Sequence, residues 1–194
     1  MSHGASGGLS KSTLYIILAS VIIFLPSFIY QTQKEAVLGF LNNSIGQKAE
    51  IPVGPYYKVT RVVDGDTLVV NYNGTEEKVR LIGINTPETV DPRKTVECFG
   101  KEASARMKSL AEGQNVRLEA DPTQDTRDIY GRMLGYVYLE DGQMLNRKMI
   151  AEGYAYEYTY MTPYRYQKDF REVQQLAKVS ERGLWAPDTC AGKK

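Results

Sequence analysis

Two short polar turns flank one stretch of alternating residues, Asp64-Gly65-Asp66-Thr67 before it and Asn85-Thr86-Pro87-Glu88-Thr89 after it. Adjacent antiparallel strands bring such turns to the same end, which gathers Asp66, Asn85 and Glu88 around one point. Every donor there is an oxygen, the set that calcium or another hard divalent cation takes. Read alone, Asp-Gly-Asp-Thr is equally an Asx-type turn joining two strands. Arg80 lies in the same hairpin, and Arg132 closes Asp128-Ile129-Tyr130-Gly131-Arg132 ahead of a later strand. A phosphodiester gathers negative charge as its phosphorus is attacked, so a cation with two forked guanidinium groups suits it. Either arginine by itself would read as a surface ion pair.

Other chemistries are excluded by what is scarce. The one histidine is His3, and the only cysteines are Cys98 and Cys190. Histidine bases, Cys-His pairs, HExxH zinc sites and four-cysteine zinc ribbons all lack their ligands or bases. Carboxylates, arginines, lysines, tyrosines or a hard metal remain. Net charge is +1, and beyond residue 50 cations and anions balance, so a polyanion would have to bind through locally clustered cations.

The elements that must position these residues start after an apolar segment. Residues 14–30, LYIILASVIIFLPSFIY, carry no charge between Lys11 and Lys34. As a helix they would reach about 26 Å, just under the ~30 Å of a hydrocarbon core, which predicts a transmembrane anchor or signal segment. The run has no A-x-A-like cleavage site and contains Pro26, which favours an uncleaved anchor. Flanking lysines nearly tie, and an extracytoplasmic domain is chosen because a short N-terminal segment most simply serves export. Residues 1–13 form a tail, 31–55 a linker, 56–187 the folded domain and 188–194 a second tail.

Within 56–187 the pattern is strand-rich. YYKVTRVVD alternates, TLVVNY is β-branched, and Asn73-Gly74 signals a type I′ hairpin into EEKVRLIGI. FGKEASARMKSLAEG has helical spacing ending at Gly113, NVRLEAD and RMLGYVYLED read as two more strands, and MLNRKMIAEG and YQKDFREVQQLAKVSERG as two further helices. Five strands with a helix between the third and fourth predict a mainly β, α+β architecture: an OB-type barrel with about three packed helices.

Four segments, D64-G-D-T-L, V79-R-L-I-G-I-N-T-P-E-T89, F99-G-K-E-A-S and D128-I-Y-G-R-M-L-G-Y-V-Y138, occur in the order and spacing of the staphylococcal nuclease (thermonuclease) family, which this chain resembles over roughly residues 56–187. The resemblance implies an OB-fold barrel. It also implies a calcium-dependent endonuclease, indifferent to the sugar, that cuts DNA and RNA by attack of water on phosphorus. The 5′ oxygen leaves and ends carry 3′-phosphate. It implies Asp66, Asn85 and the backbone carbonyl of Thr86 as metal ligands, with another divalent cation as a possible substitute for calcium, and Asp64 as the acid supporting that site. Glu88 matches the general base, Arg80 and Arg132 the two catalytic arginines, and Tyr130 a tyrosine on the terminal phosphate. Tyr158 or Tyr160 would supply the remaining substrate tyrosine. The competing reading is a membrane-tethered, noncatalytic nucleic-acid-binding module, against which the presence of Asp66, Arg80, Glu88 and Arg132 together argues. No protein partner is inferred.

Two positions depart from the family pattern. Asn85 stands where an aspartate is usual, which removes one negative charge but keeps an oxygen donor. Ile129 stands where a lysine can occur. Cys98 and Cys190 are either two thiols of no catalytic role or, in an exported domain, a bridge worth roughly 4 to 5 kcal/mol in the chain-entropy model. The tyrosines crowded over 154–166 suit either base stacking or strand and core packing.

Overall fold

The computed structural model describes residues 54–89 and 97–193, together with helical residues at 28–32, 34, 35 and 39. The chain divides into two units, residues 1–46 and 47–194. Most of the apolar run at 14–30 lies outside the described residues. Among those described, no helix is long and apolar enough to cross a membrane.

The second unit is built on β1 (Tyr57–Asp64), β2 (Thr67–Tyr72) and β3 (Thr75–Leu81), an antiparallel meander. Between β2 and β3 the two-residue loop has Asn73 at φ 53 and Gly74 at φ 89, the paired positive values a type I′ turn needs. Helix α1 (Gly100–Ala111) precedes β5 (Asn115–Glu119) and β6 (Met133–Leu139). The strands close in the order β1-β2-β3-β6-β5, with β5 returning to β1. Only the β3–β6 seam is parallel, beginning at Val79↔Met133. This is the closed five-stranded barrel expected of an OB fold.

The chain does not run straight from β3 into its next turn, as EEKVRLIGI suggested. It breaks at Ile82-Gly83, and β4 (Ile84–Asn85) leaves the barrel to pair with β7 (Tyr156–Glu157), so the described residues add a two-stranded pair to the five barrel strands. Gly83 sits at φ +78, and a Cβ there would come within 2.6 Å of the Tyr164 ring. No residue but glycine fits both the conformation and the space. The long tyrosine-rich alternation thus gives only a two-residue strand. Helix α2 (Leu145–Ala151) and helix α3 (Gln167–Val179) complete the packing, and α3 stops four residues before Gly183, where a separate 3-10 turn (Gly183–Trp185) begins.

Val59, Leu68, Val79, Leu81, Val116 and Tyr136 are all but inaccessible, joined by Met107 of α1, Met149 of α2 and Phe170 of α3. Buried Asn146 of α2 accepts from Val137 N at 3.0 Å and donates to Ile82 O at 2.8 Å. One amide thereby satisfies backbone groups exposed by the break after β3, a place where an unpaired group would be costly. Cys98 and Cys190 form a disulfide.

Candidate active site

The first polar turn is the β1–β2 connection. Thr67 pairs with Arg80 across β2 and β3, so the carboxylate of Asp66 and the guanidinium of Arg80 meet at 3.0 Å, with side chains only 11% and 14% exposed. Arg80 Nη1 donates to Leu81 O at 2.7 Å and Ile84 O at 2.8 Å, while Nη2 reaches Asn85 Oδ1 at 3.4 Å. The arginine therefore braces the break after β3 as well as facing the acid.

The second turn folds back onto the first. A Cβ on Gly65 would lie 2.7 Å from Thr86 Cγ2, so the approach is possible only because that position carries hydrogen. Thr86 N donates to Asp66 Oδ2 at 3.1 Å and Thr67 Oγ1 to Asp66 Oδ1 at 2.9 Å. Asp64 accepts from Gly65 N and from Thr89 Oγ1, both at 2.8 Å, and so ties the two turns together. Burial pushes the Asp64 carboxyl above the usual carboxylate range. The Thr89 and Gly65 hydrogen bonds oppose that rise, and the charges of Asp66 and Glu88 add to it.

Glu88 is half-buried on the same turn. Its Oε1 accepts from Thr89 N at 3.0 Å, and its backbone N donates to Glu97 Oε2 at 3.0 Å. Glu97 N returns a bond to Glu88 O at 3.0 Å, so one residue holds both main-chain groups of Glu88.

Arg132 arrives from the loop before β6. Asp128 Oδ1 accepts from Tyr130 N at 2.9 Å and Arg132 N at 3.0 Å, and Asp128 Oδ2 accepts from Arg132 Nε at 2.6 Å. Burial alone would raise the Asp128 carboxyl, but its hydrogen bonds and the adjacent guanidinium hold it below the usual range. Arg132 Nη1 extends to Thr67 Oγ1 at 3.5 Å, and the Tyr130 ring, 77% exposed, has its centroid 5.4 Å from the guanidinium carbon.

Asp64, Asp66, Asn85, Thr86 and Glu88 line one cavity of about 360 Å³ with Arg80, Arg132 and Tyr130. Tyr158 and Tyr160 do not line it. They lie just past β7, exposed, with Tyr158 N bonded to Gly83 O at 3.0 Å. Their crowded neighbours mostly pack inward: Tyr164 and Tyr166 against Phe170, Tyr154 on Phe99, Tyr156 on Trp185. Asp128, Glu97 and Lys78, which also lines the cavity, are given no role by the sequence motifs. Asp128 was legible as an i, i+4 partner of Arg132; Glu97 and Lys78 gave no local signal.

Among the described residues no three Asp, Glu, His or Cys side chains are grouped to hold a metal. The groups that would hold a metal, Asp66, the Asn85 amide and the Thr86 carbonyl, belong to residues lining the cavity and are oxygen-only with one formal charge. Thr86 Oγ1 is buried without a hydrogen-bond partner beside it. This set fits a hard cation that keeps part of its water shell, and it fits no soft metal.

A closed OB-type barrel whose rim carries carboxylates opposite two anchored arginines defines a phosphate-ester-cleaving class of site. A family model described as staphylococcal nuclease homologue matches residues 78–187. The chain is 36% identical to the thermonuclease of Staphylococcus hyicus over 173 residues, 89% of this chain and 95% of that protein. It is 41% identical to the thermonuclease of Staphylococcus intermedius over 132 residues, 68% and 77% of the two chains. Endonuclease YncB of Bacillus subtilis (strain 168) is 37% identical over 151 residues, 74% and 71% of the two chains. The chain belongs to the staphylococcal nuclease family, and with it to the nuclease hydrolases.

Proposed function

We propose that this chain is a calcium-dependent, sugar-nonspecific endonuclease that hydrolyses DNA and RNA to 3′-phosphate ends. The observation that carries this reading is the convergence of Asp66, Arg80, Glu88 and Arg132 on one cavity from separate turns and strands. The relatives named thermonuclease and endonuclease support it.

In this reading the scissile phosphate lies between the two guanidinium groups. Arg80, half-buried and fixed through Nη1 by two carbonyls, sets its positive charge beside the phosphate oxygens; Arg132, oriented by Asp128, meets the same charge and the departing oxygen. Glu88 lines the cavity with a carboxylate oxygen that accepts the proton of the attacking water. As the new O–P bond forms, charge builds on the phosphate oxygens beside both arginines, and the P–O5′ bond breaks as the leaving oxygen takes a proton from solvent water. A calcium ion on Asp66, Asn85 and the Thr86 carbonyl would supply further positive charge to the phosphate. With no helix residue among the described residues that line the cavity, contacts fall on phosphate and specificity is low.

The purified chain is incubated with DNA and RNA in calcium and then in chelator, beside Glu88→Gln and Arg132→Ala. Cutting is expected only with the metal, and kcat falls at least a hundredfold in either variant. Metal-dependent cutting untouched by both substitutions refutes the assigned roles. The reading extends to a membrane-tethered domain outside the cytoplasm, or a secreted one if residues 14–30 are removed. Support comes from the uncharged apolar run and from the Cys98–Cys190 bridge, which oxidising compartments maintain. Protease added to intact cells should degrade the domain; full protection would place it on the inner side.

A further inference from the structure

We infer that Lys78 forms a second phosphate subsite, taking the backbone phosphate next to the scissile one on a bound strand. The inference rests on the nuclease reading of the same cavity. Val79 is fully buried in the barrel core, so by strand alternation Lys78 and Arg80 project together from the outer face of β3, about 7 Å apart. The parallel seam begins with Val79↔Met133, and Lys78 and Arg132 are the residues just before that pair in the two segments. Lys78 is exposed and lines the cavity with both arginines and Tyr130.

Charge separates the three cations. Arg80 is paired with Asp66 and Arg132 with Asp128, whereas Lys78 makes no ion pair with any described residue. The cavity's acids are Asp64, Asp66 and Glu88, matched in number by Lys78, Arg80 and Arg132. Removing Lys78 leaves a lining with excess negative charge, facing a polyanion. An ammonium placed beside two guanidinium groups and answered by no carboxylate is a standing site for a phosphate. It stands one step along β3 away from the Asp66 turn, beyond Arg80, where a flexible stem gives a point charge rather than a fixed fork. The scissile group is held by the two arginines, and its neighbour along the strand reaches the lysine.

The test compares a dinucleotide carrying one phosphodiester with the same dinucleotide bearing an added 5′- or 3′-terminal phosphate. Both are assayed with wild type, Lys78→Gln and Lys78→Arg. Wild type should favour one of the phosphorylated substrates, and Lys78→Gln should lose three- to tenfold of that preference, in KM rather than kcat. Lys78→Arg should restore it. Binding of a single-stranded oligonucleotide, followed against salt, should show the log–log slope reduced by about 0.7 in Lys78→Gln, the share of one phosphate contact. Unchanged preference and slope overturn the inference. So do equal losses on both substrates, which would put Lys78 at the scissile group or in the fold. If wild type cuts nothing with any divalent ion, the nuclease reading fails, and the salt slope still decides whether Lys78 holds a phosphate.

Discussion

Asp66 meets Arg80 at 3.0 Å and receives hydrogen bonds from Thr67 and Thr86 on its two oxygens. Asn85, across the guanidinium, brings oxygen without charge. A cation there would gain Coulombic energy from Asp66 alone among its direct ligands, and hard-cation affinity tracks the number of charged ligands. Restoring a carboxylate by Asn85→Asp should therefore lower the calcium concentration for half-maximal cutting, by about tenfold for a gain near 1.4 kcal/mol. A calcium titration of activity reads this directly. An equal or higher half-maximal concentration would show that Asn85 does not touch the metal. Arg80 is expected to stay in place in this variant, because two backbone carbonyls fix Nη1 independently of residue 85.

Single elements show why some of this was legible and some was not. The β2–β3 hairpin was readable because Asn73-Gly74 fixes the loop and hence the register, and that register sets Thr67 opposite Arg80. The acids and Arg80 followed, since they flank or occupy one hairpin. The break at Ile82-Gly83 was hidden: EEKVRLIGI is a strand pattern throughout, and only the press of Tyr164 and Phe170 on Gly83 reveals the turn. Lys78 and Glu97 were silent for a similar reason, their roles arising from strand pairing and from a loop contact rather than from spacing. Glu97 also adjoins the Cys98–Cys190 bridge, whose cysteines are 92 residues apart. The bridge joins the start of α1, and thereby the residue that holds Glu88, to the segment after α3. Removing it by Cys98→Ser with Cys190→Ser should cost about 3 kcal/mol, short of the roughly 4 to 5 kcal/mol of the chain-entropy model because a reduced, unfolded chain keeps some structure, a drop in Tm of about 10 °C for a domain this size. A Tm within a degree or two of wild type would mean the cross-link restrains the unfolded chain far less than its span implies.

At the scale of the whole domain, charge is balanced overall while its carboxylates are anchored to the fold unevenly. Away from the cavity, Asp121 accepts from Tyr136 Oη at 2.5 Å and from Arg165 N at 2.7 Å, tying the β5–β6 loop to the chain entering α3. Glu152 takes two bonds from Arg106 of α1, at 2.7 and 3.0 Å, and pairs with Lys148 of α2 at 3.1 Å. In both acids burial works to raise the carboxyl, and hydrogen bonds with neighbouring cations or donors more than reverse it, leaving each below the ordinary carboxylate range. Asp128 behaves alike. Each of these groups holds its proton less tightly folded than unfolded. Their stabilisation is thus present above the unfolded pKa and lost as pH falls through the folded one. Melting in chelator should accordingly show a Tm that is nearly flat near neutrality and falls below about pH 4, where unfolded carboxyls begin to bind protons. Glu152→Gln isolates one contribution. With its partners part-exposed, it should cost about 1 kcal/mol at pH 7, and the gap to wild type should close as pH drops through the acid range. A gap that stayed constant into acid would assign the loss to packing between α1 and α2 rather than to the charge of Glu152.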